Sequence, residues 1–231
     1  MKKIMFSDKF GLTDAVLSGQ KTMTRRVIKG DYVEVGHSEQ EGSFIGKTAD
    51  GDSVVLPQPA YNVGEEVAIA QAYGSFLEIH PEPQKKFDGY SNNMHWDDRL
   101  CMFAQNSPGY KNKMFVRADL MPHRIKITST KLERLQDISD EDCYKEGIVR
   151  FNWKQWLKRE DFGPQKYIER ELWSVPLFRE SICDDWGGSS PEEFAADSAK
   201  TAFAVLIFKM MSQKVWNRNP WVYAYEFELV K

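Results

Sequence analysis

The sequence predicts a single α+β domain with inserted stretches, and three observations support this class. The chain contains short apolar or alternating runs that are typical of strands, of which Trp221–Val230 is the clearest. Two short segments, at about 10–18 and 139–146, are each followed by glycine, as helices commonly are. No internal repeat or low-complexity linker divides the 231 residues, a length that suits one large domain.

The first half of the chain predicts short elements separated by polar stretches. Leu12, Ala15 and Val16 recur near helical spacing, and Gly19 follows as a helix stop. The apolar run 67–70 has the composition of a buried strand. The predicted order is a strand at 3–6, a helix at about 10–18, an extended segment at 24–28, a hairpin or insertion at about 30–60, a strand at 67–70 and a long excursion at about 75–110.

The next elements predict a strand followed by a capped helix. Residues 124–132 alternate between polar and apolar side chains, as expected of a strand. Ser139 is a suitable helix N-cap, and the three acidic residues after it favour the positive end of the helix dipole. Gly147 then provides the C-terminal stop.

The last third predicts an insertion, a helix and a closing strand. Residues 149–188 form a variable stretch rich in tryptophan. The run 190–193, Ser-Pro-Glu-Glu, combines an N-cap, a first-turn proline and a capping-box glutamate, which predicts a helix to about Met211. In the final strand, period-2 alternation places Tyr223, Tyr225 and Phe227 on one face, which we expect to be buried.

Composition indicates a cytoplasmic protein without a membrane partner, a metal site or a cofactor. The three cysteines are widely spaced and odd in number, which favours a reducing compartment over a disulfide scaffold. The four histidines lack the spacing of metal ligands. No signal peptide is visible, and the longest apolar run, 202–208, is too short to cross a bilayer.

The charge distribution is uneven along the chain. Residues 1–30 and 111–134 each carry seven Lys/Arg against two Asp/Glu, although the whole chain has a net charge of −3. If these two basic segments meet, they form a positive face that suits a phosphate-bearing ligand. The alternative is that they lie on separate faces and are simply solvated.

The segment 19–26, Gly-Gln-Lys-Thr-Met-Thr-Arg-Arg, concentrates chemically useful side chains. A desolvated Lys21 can act as a base, Thr24 can act as a nucleophile, and Arg25 or Arg26 can bind phosphate or carboxylate. Adjacent residues of an extended segment face opposite ways, so we expect only one of the two arginines to point into a cleft. The alternative interpretation is a basic turn whose charges face water.

Three blocks of the chain together resemble the ASCH domain family. The first is 19–26, which matches the family signature Gly-x-Lys-x-x-Thr-x-Arg. The second runs from Leu132 to Ile138 and continues through Asp142 to Glu146-Gly147-Ile148, and the third is 216–222. The segment 121–124 also resembles a Met-Pro-Arg segment of long bacterial and phage members. The resemblance implies a PUA-like mixed β-barrel flanked by helices, over 1–231, with insertions at about 30–60, 75–110 and 149–188.

The resemblance also implies a set of site residues. Small bacterial relatives that hydrolyse N4-acetylcytidine use a lysine, a threonine and a glutamate, which correspond here to Lys21, Thr24 and Glu146. In that chemistry the lysine deprotonates the threonine, and the glutamate assists the leaving amine. The ligand-binding residues that we expect beside this set are Thr22, Arg25, Arg26 and Gln71. Without the resemblance, Glu146 is equally well read as a solvated glutamate at a helix end.

Two features of the sequence bear on this interpretation. Long members of the family usually show Trp-Val-Arg-Glu where this chain has Ala68-Ile69-Ala70-Gln71, so an Arg-Glu pair is missing. Gln71 can still form hydrogen bonds with a base edge but cannot hold a proton. In a regular strand Lys21 and Thr24 would face opposite sides, so their convergence requires a turn between them, which Gly19 favours.

The sequence leaves three functions open. The first is an amidohydrolase of N4-acylated cytidine-type substrates with Thr24 as nucleophile. The second is a non-catalytic module that binds a nucleoside, a nucleotide or RNA through basic segments and an aromatic wall. The third is a protein-interaction module that uses the tryptophan-rich insertion. The sequence does not predict an oligomeric state.

Overall fold

The computed structural model describes residues 1–38, 43–76, 106–156, 167–175 and 195–230. These residues form the predicted α+β fold, in which strands predominate. The strands are β1 (Lys3–Ile4), β2 (Met23–Val27), β3 (Glu34–Ser38), β4 (Ser43–Lys47), β5 (Ser53–Val55), β6 (Glu66–Ile69), β7 (Arg124–Arg134), β8 (Val149–Trp156), β9 (Tyr167–Ser174) and β10 (Trp221–Val230). The α-helices are α1 (Leu12–Leu17), α2 (Asp140–Lys145), α3 (Ala199–Met210) and α4 (Gln213–Arg218).

The chain divides into two compact units, and each is discontinuous in sequence. Unit 1 contains residues 1–6, 66–125 and the chain end from 230, whereas unit 2 contains 7–65 and 126–229. Lys21, Thr24 and Glu146 all belong to unit 2. The assignment of one domain to the whole chain stays a prediction.

In unit 1, the first strand lies parallel to β6. Ile4 pairs with Ile69, and the apolar part of β6 is fully buried, as its composition predicted. The small side chains of Ala68 and Ala70 leave room for the ring of Tyr73, which lies in the same apolar cluster.

Unit 1 also joins the beginnings of the two basic segments. Lys3 Nζ donates to the carbonyl oxygens of Met114 at 2.6 Å and Val116 at 2.7 Å. In return, Lys113 Nζ donates to the carbonyl oxygen of Phe6. These contacts hold the chain start against the segment that precedes Ile125.

In unit 2, β10 lies between β2, which is antiparallel to it, and β7. Tyr223, Tyr225 and Phe227 are buried, as predicted. Val222 and Ala224, on the opposite face, are buried as well, because both faces of β10 are covered.

The predicted insertion at 30–60 is an antiparallel meander of β3, β4 and β5. The stretch 149–188 contains a two-stranded hairpin of β8 and β9, which the sequence did not predict. Arg150 lies opposite Trp173 in this hairpin, and its guanidinium carbon lies 5.8 Å from the centre of that ring. The Ser-Pro-Glu-Glu helix start at 190–193 and most of the excursion at 75–110 lie outside the described residues. A helix that runs from that start to about Met211 is wrong, because Ala196 forms a β-bridge with Trp173 and α3 begins only at Ala199, with Ser198 as its N-cap. Its end at Met210 agrees with the prediction.

Two further expectations are modified by the structure. The first helix begins at Leu12 rather than near residue 10, because Gly11 has a φ of 66° and separates it from a 3₁₀ turn at Asp8–Phe10. The strands lie in open sheets, and no closed barrel is formed by the ranges that the structure describes, so the PUA-like barrel stays a prediction. Across the same ranges, no helix is long and apolar enough to span a membrane.

Candidate functional site

Backbone hydrogen bonds bring the segment 19–26 to the end of α2. The amide of Lys21 donates to the carbonyl oxygen of Ala15 at 2.8 Å, which turns the chain back after α1. The next amide, that of Thr22, donates to the carbonyl oxygen of Lys145 at 2.8 Å. Thr22 therefore has a structural contact through its backbone, and its side chain is half-buried.

Glu146 is placed by the C-terminal cap of α2. The amide of Gly147 donates to the carbonyl oxygen of Tyr144, and that of Ile148 to the carbonyl oxygen of Cys143, which is the Schellman pattern. Gly147 has a φ of 99°, a conformation that glycine adopts readily, so the predicted stop is confirmed. Glu146 ends the helix and its side chain is buried.

Lys21 and Glu146 form a buried ion pair. Lys21 Nζ lies 2.5 Å from Glu146 Oε2 and also donates to the carbonyl oxygen of Glu146 at 2.7 Å. The side chains are 2% and 5% exposed, so water does not screen the pair. Two members of the predicted catalytic set thus meet in the structure.

Burial alters the basicity of this lysine. Desolvation lowers the pKa of Lys21, and the opposing effect of the Glu146 carboxylate does not cancel it. The positive charges of Arg26 and Arg25 act in the same direction as burial. A lowered pKa increases the fraction of Lys21 that is a neutral amine, which is the form that general-base catalysis requires.

Arg25 occupies the other side of the Glu146 carboxylate. Its Nη1 donates to Glu146 Oε1 at 3.1 Å and its Nη2 to Asp142 Oδ2 at 2.9 Å. Its Nε donates to Glu133 Oε1 at 2.8 Å. The Arg25 side chain is 2% exposed and three protein carboxylates bind its guanidinium, so we assign it no ligand-binding role.

Thr24 and Arg26 lie on the opposite face of β2 from Arg25. Thr24 is opposite Tyr225 on β10, and Arg26 is opposite Tyr223. Thr24 is buried and makes no hydrogen bond with Lys21 in the part of the chain that the structure describes. The structure therefore brings Lys21 to Glu146 without joining either of them to the Thr24 hydroxyl.

A group of tyrosines covers this second face. Tyr225 Oη accepts a hydrogen bond from the amide of Ala60 at 2.9 Å, and Tyr223 Oη donates to the carbonyl oxygen of Pro57 at 2.9 Å. The Tyr61 ring meets the Tyr225 ring edge to face, with 5.3 Å between centroids. Burial raises the pKa of Tyr61, and the positive charge of Arg26 opposes that rise.

Gln71 belongs to unit 1. Its side chain is buried and its Oε1 lies 2.7 Å from His123 Nδ1, while its backbone N–H donates to Met121 Sδ at 3.3 Å. His123 follows Pro122 in the segment 121–124. The structure thus gives Gln71 an internal partner within its own unit.

The second and third blocks of the resemblance also meet. The amide of Leu135 donates to the carbonyl oxygen of Pro220 at 2.9 Å, and that of Gln136 to Asn219 Oδ1 at 2.8 Å. Asn219 has a φ of 46°, which turns the chain into β10. The three blocks therefore form one connected region of unit 2.

Sequence reasoning missed some neighbours of the site. Glu133 and Asp142 were recognised only as members of the second block, and no pattern in the sequence gave a reason to place them on Arg25. Tyr61 was not identified, since it lies in an irregular segment after β5. Among the described residues, no group of three or more His, Cys, Asp or Glu has the geometry of a metal site.

Cys143 lies beside this cluster on α2. It is fully buried, and burial raises the pKa of its thiol to about 12. The thiol is therefore protonated at neutral pH and is not a nucleophile.

Comparisons of the chain with protein-family models, curated proteins and solved structures gave no match.

Proposed function

We propose that this chain binds a nucleoside-type ligand near Lys21, Thr24 and Glu146 and hydrolyses the amide of an N4-acylated cytidine-type substrate. The observation that carries the proposal is the buried Lys21–Glu146 pair, with 2.5 Å between Nζ and Oε2. Burying such charges costs free energy relative to apolar side chains, and perturbed titratable groups concentrate at functional sites. The ASCH-type signature at 19–26, and the PUA-like fold that it implies, support the same function.

The Lys21–Glu146 pair can supply both the general base and the general acid that amide hydrolysis needs. Transfer of one proton from Lys21 Nζ to Glu146 Oε2 leaves a neutral amine and a neutral carboxylic acid. The amine takes the proton of the Thr24 hydroxyl as its oxygen attacks the acyl carbon, and the acid protonates the departing N4 amine. Water then hydrolyses the acyl–Thr24 ester, which releases the carboxylic acid and restores the hydroxyl.

This mechanism requires one rearrangement. Lys21 Nζ donates hydrogen bonds to the carbonyl oxygen and Oε2 of Glu146. It must therefore leave these partners and move to the Thr24 hydroxyl when substrate binds. Catalytic hydrogen bonds that are long or absent without substrate commonly form in the substrate complex. A substrate acyl group placed against Thr24 would also exclude water from this face.

A second candidate function is binding without catalysis. It is favoured by the position of Arg26 on the face that carries Thr24 and by the Tyr61 ring packed on Tyr225 there, because a guanidinium and an aromatic ring on one face suit a nucleotide or a splayed RNA base. In that case Lys21 simply caps α2 and holds Glu146. The partner is then a modified nucleotide or RNA rather than an acylated substrate.

Acetate release from N4-acetylcytidine separates the two functions. Wild type, Lys21→Ala and Thr24→Ala are compared with Thr128→Ala and Lys131→Ala, which change the same residue types at exposed positions of β7. Turnover in wild type and both controls, with loss in both site variants, supports hydrolysis. Nucleoside binding that survives Thr24→Ala without any turnover supports the binding module. Neither binding nor turnover of any nucleoside probe would contradict both.

A further inference from the structure

We infer that Arg25 is a positioning residue that orients the Glu146 carboxylate toward Lys21. The inference rests on the proposed function only in treating Lys21 and Glu146 as the reacting groups. Arg25 occupies a variable position of the Gly-x-Lys-x-x-Thr-x-Arg signature, and the sequence placed it only among the candidate ligand-binding residues. Its role here follows from the contacts of its guanidinium.

The two oxygens of Glu146 are divided between two cations. Oε1 accepts from Arg25 Nη1 at 3.1 Å, and Oε2 accepts from Lys21 Nζ at 2.5 Å. A carboxylate held at one oxygen by a planar guanidinium has its plane and its second lone-pair direction defined. Arg25 therefore determines where the oxygen that faces Lys21 lies.

Arg25 can hold Glu146 because it is itself immobile. Glu133 and Asp142 bind its other nitrogens at 2.7–2.9 Å. Nη1 also contacts Met23 Sδ at 3.3 Å, and the guanidinium carbon lies 5.9 Å from the centre of the Phe203 ring. The guanidinium is thus fixed by the second block of the chain and by α3.

Arg26 provides a contrast on the same strand. It affects Lys21 through space, as Arg25 does, but it lies on the other face of β2 and, among the described residues, has no contact with Glu146. A charge at Arg26 can therefore change the pKa of Lys21 without moving the Glu146 carboxylate. The two arginines form a matched pair for an experiment.

The test measures the pKa of Lys21 by ¹³Cε chemical-shift titration of lysine-labelled protein, with the signal assigned from Lys21→Arg. Arg25→Met and Arg26→Met are each made in the wild type and in Glu146→Gln. If Arg25 acts through Glu146, the change in the Lys21 pKa that Arg25→Met causes in the wild type should differ by roughly 0.5 pH units or more from the change that it causes in Glu146→Gln. The change that Arg26→Met causes should be the same in both backgrounds. Equal effects of Arg25→Met in both backgrounds would overturn the inference.

A second variant covers the case in which Arg25→Met does not fold. Arg25→Lys keeps the positive charge but loses the planar fork, so a positioning role predicts a changed Lys21 pKa, and a charge-only role predicts an unchanged one. This readout needs no substrate, so it decides the role of Arg25 even if the chain hydrolyses nothing. If the chain is a hydrolase, Arg25→Lys should lower kcat roughly tenfold or more and leave KM nearly unchanged.

Discussion

Lys21 Nζ caps the carbonyl oxygen of Glu146 at 2.7 Å and pairs with the carboxylate of the same residue at 2.5 Å, across 125 positions of sequence. The ammonium therefore lies at the negative end of α2, where a positive charge is favourable. The same contact closes the region between the end of α1 and the end of α2. The contacts that stabilise the end of α2 are therefore the same ones that place the Lys21 amine against the Glu146 carboxylate.

Replacing Lys21 by methionine should destabilise unit 2. The change keeps side-chain length but leaves a buried Glu146 carboxylate with Arg25 as its remaining cation. We expect a loss of about 3 kcal/mol in the free energy of unfolding, the range for breaking a buried ion pair. Urea denaturation followed by tryptophan fluorescence measures it, with the exposed Lys131→Met as control, expected to change stability by less than about 0.5 kcal/mol.

Adding Glu146→Gln to Lys21→Met distinguishes an ion pair from simple packing. The amide that replaces the carboxylate carries no charge to leave unpaired, so the double variant should lose clearly less than the sum of the two single losses. Additive losses would mean that the two side chains contribute independently, contrary to the short contact between them.

The stability contributed by Lys21 should depend on pH. Its pKa in the folded chain lies below its ordinary value of 10.5, because burial disfavours the charged amine. Between those two pKa values the unfolded chain binds more protons, so the free energy of unfolding rises with pH over that interval and levels off above 10.5. The stability of wild type relative to Lys21→Met should therefore increase as pH approaches 10.5 from below, and a constant or falling difference would contradict the lowered pKa.

Local signals in the sequence predicted much of the fold. Gly19 and Gly147 marked helix ends, because both adopt a positive φ that glycine tolerates. Ser139 was recognised as an N-cap, and its Oγ does accept from the amide of Asp142. Each of these features is decided by residues within one turn of the helix, which is why spacing alone revealed them.

Contacts between residues far apart in the sequence were harder to predict than local structure. The pairing of Lys21 with Glu146 came only through a family resemblance, and no periodicity connects positions so far apart. The three carboxylates around Arg25 come from β7 and α2, so their convergence depends on how those elements pack. The meander at 34–55 was expected only as a hairpin or insertion. The strand β8 was missed although residues 149–154 alternate between apolar and polar side chains, whereas β9 carries charged residues on both faces and gives no such signal.

Replacing Gly147 by alanine should also destabilise unit 2. A Cβ at this position would lie 3.5 Å from Lys21 Cβ, which is ordinary contact, so crowding is not the cause. The φ of 99° is the cause, and we expect a loss of about 1–2 kcal/mol in the free energy of unfolding. Gly36→Ala is the matched control, since it has open space and no positive φ, and it should be neutral or slightly stabilising. Equal effects of the two changes in urea denaturation would argue against the Schellman cap.

Removal of the Tyr225 hydroxyl should release the segment that carries Tyr61. Tyr225→Phe leaves the amide of Ala60 without the acceptor that it contacts at 2.9 Å, so we expect a loss of about 1 kcal/mol. Amide hydrogen exchange provides the sharper measurement, because exchange at Ala60 should accelerate by roughly the factor of five to ten that this energy implies. Tyr223→Phe removes a donor to the Pro57 carbonyl and takes no acceptor from Ala60, so it is the matched control. If both variants accelerate exchange at Ala60 equally, the segment 57–61 is held by packing of the rings rather than by the Tyr225 hydroxyl.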